Sequence, residues 1–254
     1  MPQLVSELAG GRDLQVVWRN ELGGLTFVLG HGDERCFVKW ASSGSGLDCV
    51  AEAARLMWLA PFSRVPRVLG AGADETASWL ITTPLPGESA ISERWKREPA
   101  IAVAAIGRGL RHLHDHAPVV GCPYSWSVES RVNNAHHQVA IAATNPSLWH
   151  PCHQTLSTQA ALAALDAPPA IDRLVVCHGD ACAPNSLLTD DGDWSGHVDL
   201  GALGVADRWA DLAIATWSTE WNYGPGWEHA LLDAYGIEPD PGRSRYYRLL
   251  WDLD

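Results

Sequence analysis

Three short, largely apolar extended runs stand near the start of the chain, LQVVWR (14–19), LTFVLG (25–30) and RCFVKW (35–40). Turn-rich NELGG and HGDE separate them, so the pattern predicts a meander of antiparallel strands. LDCVAEAARLMWLA (47–60) changes to helical spacing, and PRVLGAG and SWLITT return to strand character. Two prolines and a glycine in Thr82-Thr83-Pro84-Leu85-Pro86-Gly87 then end regular structure. The spacing therefore predicts a mostly β lobe over residues 1–84 with one helix.

Beyond that boundary the period becomes helical. AIAVAAIGRGLRHLHDH (100–116) places Ile101, Ala104, Ala105, Leu110 and Leu113 near one face. Residues 125–170 hold Ala-rich helical stretches interrupted by Pro146, Pro151, Pro168 and Pro169. The expectation for 85–254 is a larger, mainly α lobe, which makes the chain an α+β protein of two lobes.

Composition narrows the classes. At 254 residues with 46% apolar and 19% charged positions, the chain is long and apolar enough for a buried core. No apolar run approaches the roughly 18–20 residues that span a bilayer, and the N-terminus has neither a basic start nor an apolar signal core. Cytoplasmic residence and no membrane partner are expected. A net charge of −12 argues against nucleic acid and anionic lipid as partners. Most of the excess lies between Asp172 and Asp254, where 15 acidic residues face 5 arginines, which favours a cationic ligand or a metal there.

Six cysteines without a CxxC pair give no disulfide framework. His150, Cys152 and His153 lack a second ligand pair at zinc spacing and read as an ordinary loop. His112, His114 and His116 are expected on different faces of their helix.

The segment LVVCHGDACAPNSLLTDDGDWSGHVDLG (174–201) carries the chemistry. If SLLT and SGHVDL pair as a hairpin centred on Gly192, Asn185 faces Asp199, and Asp180 lies in the loop just before that end. Two carboxylates and an amide oxygen form a hard donor set suited to Mg²⁺. HxDxxxxN followed by DxG supplies, in the order used by kinases, a carboxylate for the attacking hydroxyl and ligands for a metal on nucleotide phosphates.

Together with FVKW followed by AEAARLMWLA, LRHLHDHAPVVGCP, GHVDLGALGVADRWADLAIAT and the tail YGIEPDPGRSRYYRLLWDL, this segment resembles the aminoglycoside phosphotransferases, especially their 3'-phosphotransferase branch, within the protein-kinase-like superfamily. The resemblance implies a two-lobed kinase-like fold and an ATP- or GTP-dependent O-phosphotransferase for an aminoglycoside-like or other amino-sugar or antibiotic acceptor, a drug-resistance activity. It implies that Asp180 orients and deprotonates the acceptor hydroxyl, while Asn185 and Asp199 hold Mg²⁺. Lys39, one of only two lysines, would reach the nucleotide phosphates and pair with Glu52, although Asp48 stands one turn earlier as a competitor. Gly23 and Gly24 would form the loop over the nucleotide, without a GxGxxG pattern. The linker with Thr83 and Leu85 would meet the base.

His178, Asp207 and Asp211 read as scaffold around the loop. On the acceptor side the chain departs from the family pattern: TWSTEWNYGPGWE and RLLWDLD leave Glu220, Asp252 and Asp254 as cation ligands, and Trp221 among several indoles that stack on the acceptor or pack the lobe. The implied partners are a nucleotide and a small hydroxylated cation, bound by a monomer or homodimer. The alternatives are a kinase for a non-antibiotic metabolite, a non-catalytic nucleotide-binding regulator, and a metallohydrolase active without ATP. No APE-type segment follows DLG, which disfavours a protein kinase.

Overall fold

The computed structural model describes residues 2–20 and 22–254. A short helix, α1 (Gln3–Ala9), opens the chain, followed by strands β1 (Leu14–Arg19), β2 (Leu25–Leu29) and β3 (Cys36–Ser42). Helix α2 (Cys49–Leu59) and strands β4 (Val68–Ala73) and β5 (Ala77–Thr82) complete an antiparallel sheet in the order β1-β2-β3-β5-β4. The predicted strands and helix recur with ends shifted by one or two residues. The N-terminal helix was not expected, because it is too short for its periodicity to register.

Alternation along β3 decides which side chains face the second lobe. Cys36 and Val38 turn to one face, where Val5 and Ala9 of α1 cover them together with Phe27 and Leu29. Ala41 turns to the other face, against Leu56 and Leu59 of α2. Lys39 pairs across the ladder with Leu80, which belongs to that second face, so its side chain emerges beside α2.

The second lobe continues with β6 (Glu88–Ser89), α3 (Glu93–Arg97), α4 (Pro99–His116), α5 (Val128–Ala140) and α6 (Thr158–Leu165). Strands β7 (Leu174–Cys177), β8 (Ser186–Leu188), β9 (Trp194–His197) and β10 (Gly204–Asp207) precede the helices α7 (Trp209–Tyr223), α8 (Glu228–Tyr235) and α9 (Pro241–Leu253). The proline-rich stretch 125–170 thus resolves into two helices, each N-capped by a serine that accepts from the backbone, Ser127 from Ser130 and Ser157 from Ala160. No helix among the described residues is long and apolar enough to cross a membrane.

Three expectations change. In α4 the buried positions are Ala102, Val103, Ala105, Ile106, Gly107, Gly109, Leu110, Leu113 and His114, so Ala105, Leu110 and Leu113 face inward as expected while Ile101 is 41% exposed. This helix is enclosed by α7, α8 and β9, so burial extends round it and is not confined to one stripe. His112 and His116, one turn apart, stack with ring centroids at 4.0 Å, and only His114 points into the core.

The β8–β9 register also moves. The turn closes by Thr189 N–H donating to the Asp193 carbonyl at 2.9 Å, centred near Asp191, and a bulge intervenes before Leu187 pairs with Gly196. Asn185 therefore meets Val198, whose N–H donates to its carbonyl at 3.0 Å, and Asp199 follows with φ 64°.

Gly107 lets α4 pack closely against α8: a Cβ there would sit 2.5 Å from the Leu231 carbonyl oxygen. Overpacking costs of about 1–3 kcal/mol, less about 1 kcal/mol of helix propensity gained, leave Gly107→Ala destabilised by about 1 kcal/mol. The expected outcome is a Tm lower by about 2–4 °C in thermal unfolding; an unchanged Tm would mean the two helices can separate freely.

Candidate active site

The loop from His178 to Asn185 leaves β7 at the junction of the lobes and is held from beneath by one buried carboxylate. Asp211 in α7 accepts the N–H of His178 at 2.6 Å and of Gly179 at 3.0 Å, and Nε2 of His114 at 3.0 Å. Burial opposes the charge on Asp211, and the His114 hydrogen bond and charge outweigh it, holding its pKa below the usual range. Gly179 has φ 84° and lies against the Ala202 carbonyl, 2.3 Å from where a Cβ would stand, so the turn admits glycine alone.

His178 ties the loop to the next strand. Its Nε2 donates to the Val198 carbonyl at 3.0 Å, and its Nδ1 accepts the Asp180 N–H at 3.2 Å. Asn185 closes the loop, its Nδ2 donating to the Asp180 carbonyl and to Asp180 Oδ2, each at 3.0 Å. The second carboxylate oxygen, Asp180 Oδ1, is buried and has no hydrogen-bond partner among the described residues.

Lys39 reaches this region from the sheet. Its Nζ lies 2.8 Å from both oxygens of Glu52 and 2.6 Å from Asp199 Oδ1. Burial disfavours the ammonium, but the two carboxylates hold its pKa above the ordinary lysine value. Asp199 likewise loses to burial and gains more from Lys39, so its pKa falls. Asp48 does not compete for the lysine: it caps α2, accepting from Val50 and Ala51.

The remaining expected residues are placed less uniformly. Gly23 and Gly24 form the β1–β2 turn, where Asn20 Oδ1 accepts the Gly24 N–H at 2.7 Å. Thr83 donates its N–H to the Arg67 carbonyl at 2.9 Å and accepts the Arg67 N–H on its hydroxyl, so those two groups extend the β4–β5 pairing and are not left for a ligand. Leu85 lies over Gly196 of β9. Glu220 and Trp221 are exposed on α7.

Asp252, expected as a free cation ligand, turns inward. Its Oδ2 meets His153 Nδ1 at 2.6 Å and accepts the His150 N–H at 3.1 Å. Asp254 is similarly bound by Arg131 at 2.6 Å and Asn134 at 3.1 Å. Sequence reasoning missed His114, Arg131 and Ser218, whose Oγ accepts the Ala183 N–H at 2.9 Å.

A family model described as the phosphotransferase enzyme family matches residues 5–247. The chain is 37% identical over 221 residues to an aminoglycoside 3'-phosphotransferase of Streptomyces fradiae, covering 83% of this chain and 81% of that protein. Its fold superposes on an aminoglycoside-3'-phosphotransferase of type VIII with TM-score 0.85 and 32% identity, over 98% of this chain and 97% of the other. An aminoglycoside phosphotransferase from Streptomyces rimosus, solved in complex with ADP and streptomycin, matches with TM-score 0.77 and 28% identity, over 100% of this chain and 99% of that one. These similarities agree with the α+β, two-lobed kinase-like architecture expected from the residues.

Behind the loop, His197 is fully buried, and burial first, then the neighbouring His178, push its pKa down to about 3. The unfolded chain titrates a histidine near 6.5, so between about pH 6.5 and 3 it takes up a proton that the folded protein refuses, and stability falls as pH drops through that window. Urea unfolding across pH 4–6 is expected to show a slope for His197→Asn shallower than the parent by about 1.4 kcal/mol per pH unit. Equal slopes would show that His197 charges in the folded state.

Proposed function

The chain belongs to the phosphotransferase enzyme family, and on that premise we propose that it transfers the γ-phosphoryl group of ATP to a hydroxyl of an aminoglycoside. The buried, unpartnered Asp180 Oδ1 carries the reading. With Oδ2 held by Asn185, the carboxylate is fixed in orientation and keeps one oxygen free to accept a proton. As the acceptor oxygen bonds to the γ-phosphorus and the bond to the β,γ-bridging oxygen breaks, Asp180 takes the hydroxyl proton and ADP leaves.

Lys39, held by Glu52, presents its ammonium to the phosphates and offsets their negative charge. The donor chemistry of the neighbouring residues fits Mg²⁺: Asn185 spends its amide nitrogen on Asp180, which leaves its oxygen, and Asp199 adds a carboxylate with one oxygen beyond the contact to Lys39. When bound, the ion would neutralise charge on the phosphates. Gly23 and Gly24 would cover the nucleotide, and the segment around Thr83 and Leu85 would pass beside its base. The division of labour follows lobes bounded near residue 84, in a cytoplasmic enzyme, monomeric or homodimeric, that inactivates an antibiotic. Similarity to the ADP-bound relative supports ATP as donor, with GTP as the comparison in assay.

Steady-state kinetics with ATP, Mg²⁺ and an aminoglycoside test the roles. Asp180→Ala is expected to lower kcat by about 10²–10⁴-fold while the KM for ATP moves little. Full turnover by a folded Asp180→Ala protein would refute the base assignment. Lys39→Met is expected to raise the KM for ATP about tenfold or more, as loss of a charge-assisted contact requires.

A further inference from the structure

We infer that the last turn of α4 binds a divalent transition-metal ion through the imidazoles of His112 and His116, residues that the transfer chemistry does not use. Four positions at about 100° each return a side chain to within about 40° of its starting direction, so two histidines at this spacing share one face. Their rings lie one over the other, with centroids 4.0 Å apart and planes 22° from parallel. A helix offers two imidazoles to one zinc at the same spacing in the HExxH motif.

The ring nitrogens are left in the state that ligation needs. His116 Nδ1 donates to the His112 carbonyl at 2.8 Å. That bond puts the ring proton on Nδ1 and leaves the lone pair on Nε2, and a carbonyl is a usual partner for the far nitrogen of a metal-bound histidine. Neither ring nitrogen of His112 has a hydrogen-bond partner among the described residues, and its ring is steadied by Trp194 at a centroid distance of 5.0 Å. His112 is half-buried and His116 exposed, so an ion reaches them from solvent. Bonds of about 2.0–2.1 Å place the two nitrogens of a chelate about 3.0–3.4 Å apart, which a small rotation of the exposed His116 ring supplies.

The donor set selects the ion. Asp115, between the two histidines in sequence, is engaged by Arg111 and by Arg173 at 3.0 Å. Arg64, which shares Trp194 with His112, donates to the Trp194 carbonyl at 3.0 Å and lies over its ring at 5.5 Å. Two neutral imidazoles, with water completing the shell, suit Ni²⁺, Cu²⁺ and Zn²⁺ and are poor ligands for Mg²⁺, which takes oxygen. The negative end of the α4 dipole falls on the same turn and favours a dication. Other histidine clusters have spent their donors within the chain. His150 Nδ1 meets Cys152 Sγ at 3.0 Å and His153 Nδ1 meets Asp252 at 2.6 Å, while buried His114 bonds Tyr235 at 2.9 Å and Asp211 at 3.0 Å.

The test titrates Ni²⁺ into the intact protein, without an affinity tag and with Mg²⁺ present, by isothermal calorimetry, and follows thermal unfolding alongside. One equivalent should bind, and free Ni²⁺ at a hundredfold excess over Kd should raise the Tm by about 5–10 °C, reversed by EDTA. His112→Gln and His116→Gln should each weaken binding at least tenfold and abolish the Tm shift, with Tm values in EDTA matching the parent. His150→Gln should bind as the parent does. No binding to the parent, parent-like binding by His112→Gln or His116→Gln, or loss of binding in His150→Gln overturns the inference. No readout involves turnover, so each of these results leaves the phosphotransferase reading in place.

Discussion

Lys39 is the only described contact that binds the sheet, α2 and the segment after β9 at a single atom. Its Nζ lies within 2.8 Å of Glu52 and 2.6 Å of Asp199, residues 13 and 160 positions away along the chain. A buried pair of this kind is weak evidence for stability, because removing the ions from water costs about as much as their attraction returns. Its consequence is positional. With Lys39 fixed between the two acids, the first lobe can present its ammonium only where Asp199 already stands, and the gap between the lobes has a defined width.

On the other side of the cleft the constraint is a carboxylate. Asp211 collects two consecutive backbone N–H groups and a histidine, and each is a donor that would be costly to bury unpaired. The loop cannot drift from α7 without abandoning three hydrogen bonds at once. That rigidity is transmitted to Asp180, whose own carboxylate is oriented by Asn185 and not by solvent. The same helix carries Ser218 about two turns further on, where its hydroxyl accepts the Ala183 N–H, so one element fixes both ends of the loop.

Acidic excess in the last third of the chain would, evenly spread, make that region attractive to cations. Pairing makes it uneven. Asp172 and Asp207 meet Arg208 and Arg243, which that excess already counts, Asp254 meets Arg131 from outside the segment, and Asp252 and Asp211 meet His153 and His114.

Local patterning was sufficient for the element types and for the motif. Short extended runs between turn-rich segments placed β1, β2 and β3, helical spacing placed α2 and α4, and HGDxxxxN with DLG marked Asp180, Asn185, Asp199 and, through the resemblance, Lys39 and Glu52. These properties depend on neighbours within a few residues, or on a spacing that the chain carries with it. The tertiary structure alone decided the β8–β9 register, the all-round burial of α4, the commitment of Thr83 to Arg67, and which acids remain free. Asp252 finds His153 at a separation of 99 positions and Asp254 finds Arg131 at 123. No local pattern contains such partners, because whether a carboxylate is free or neutralised depends on what folding brings within hydrogen-bond distance of it.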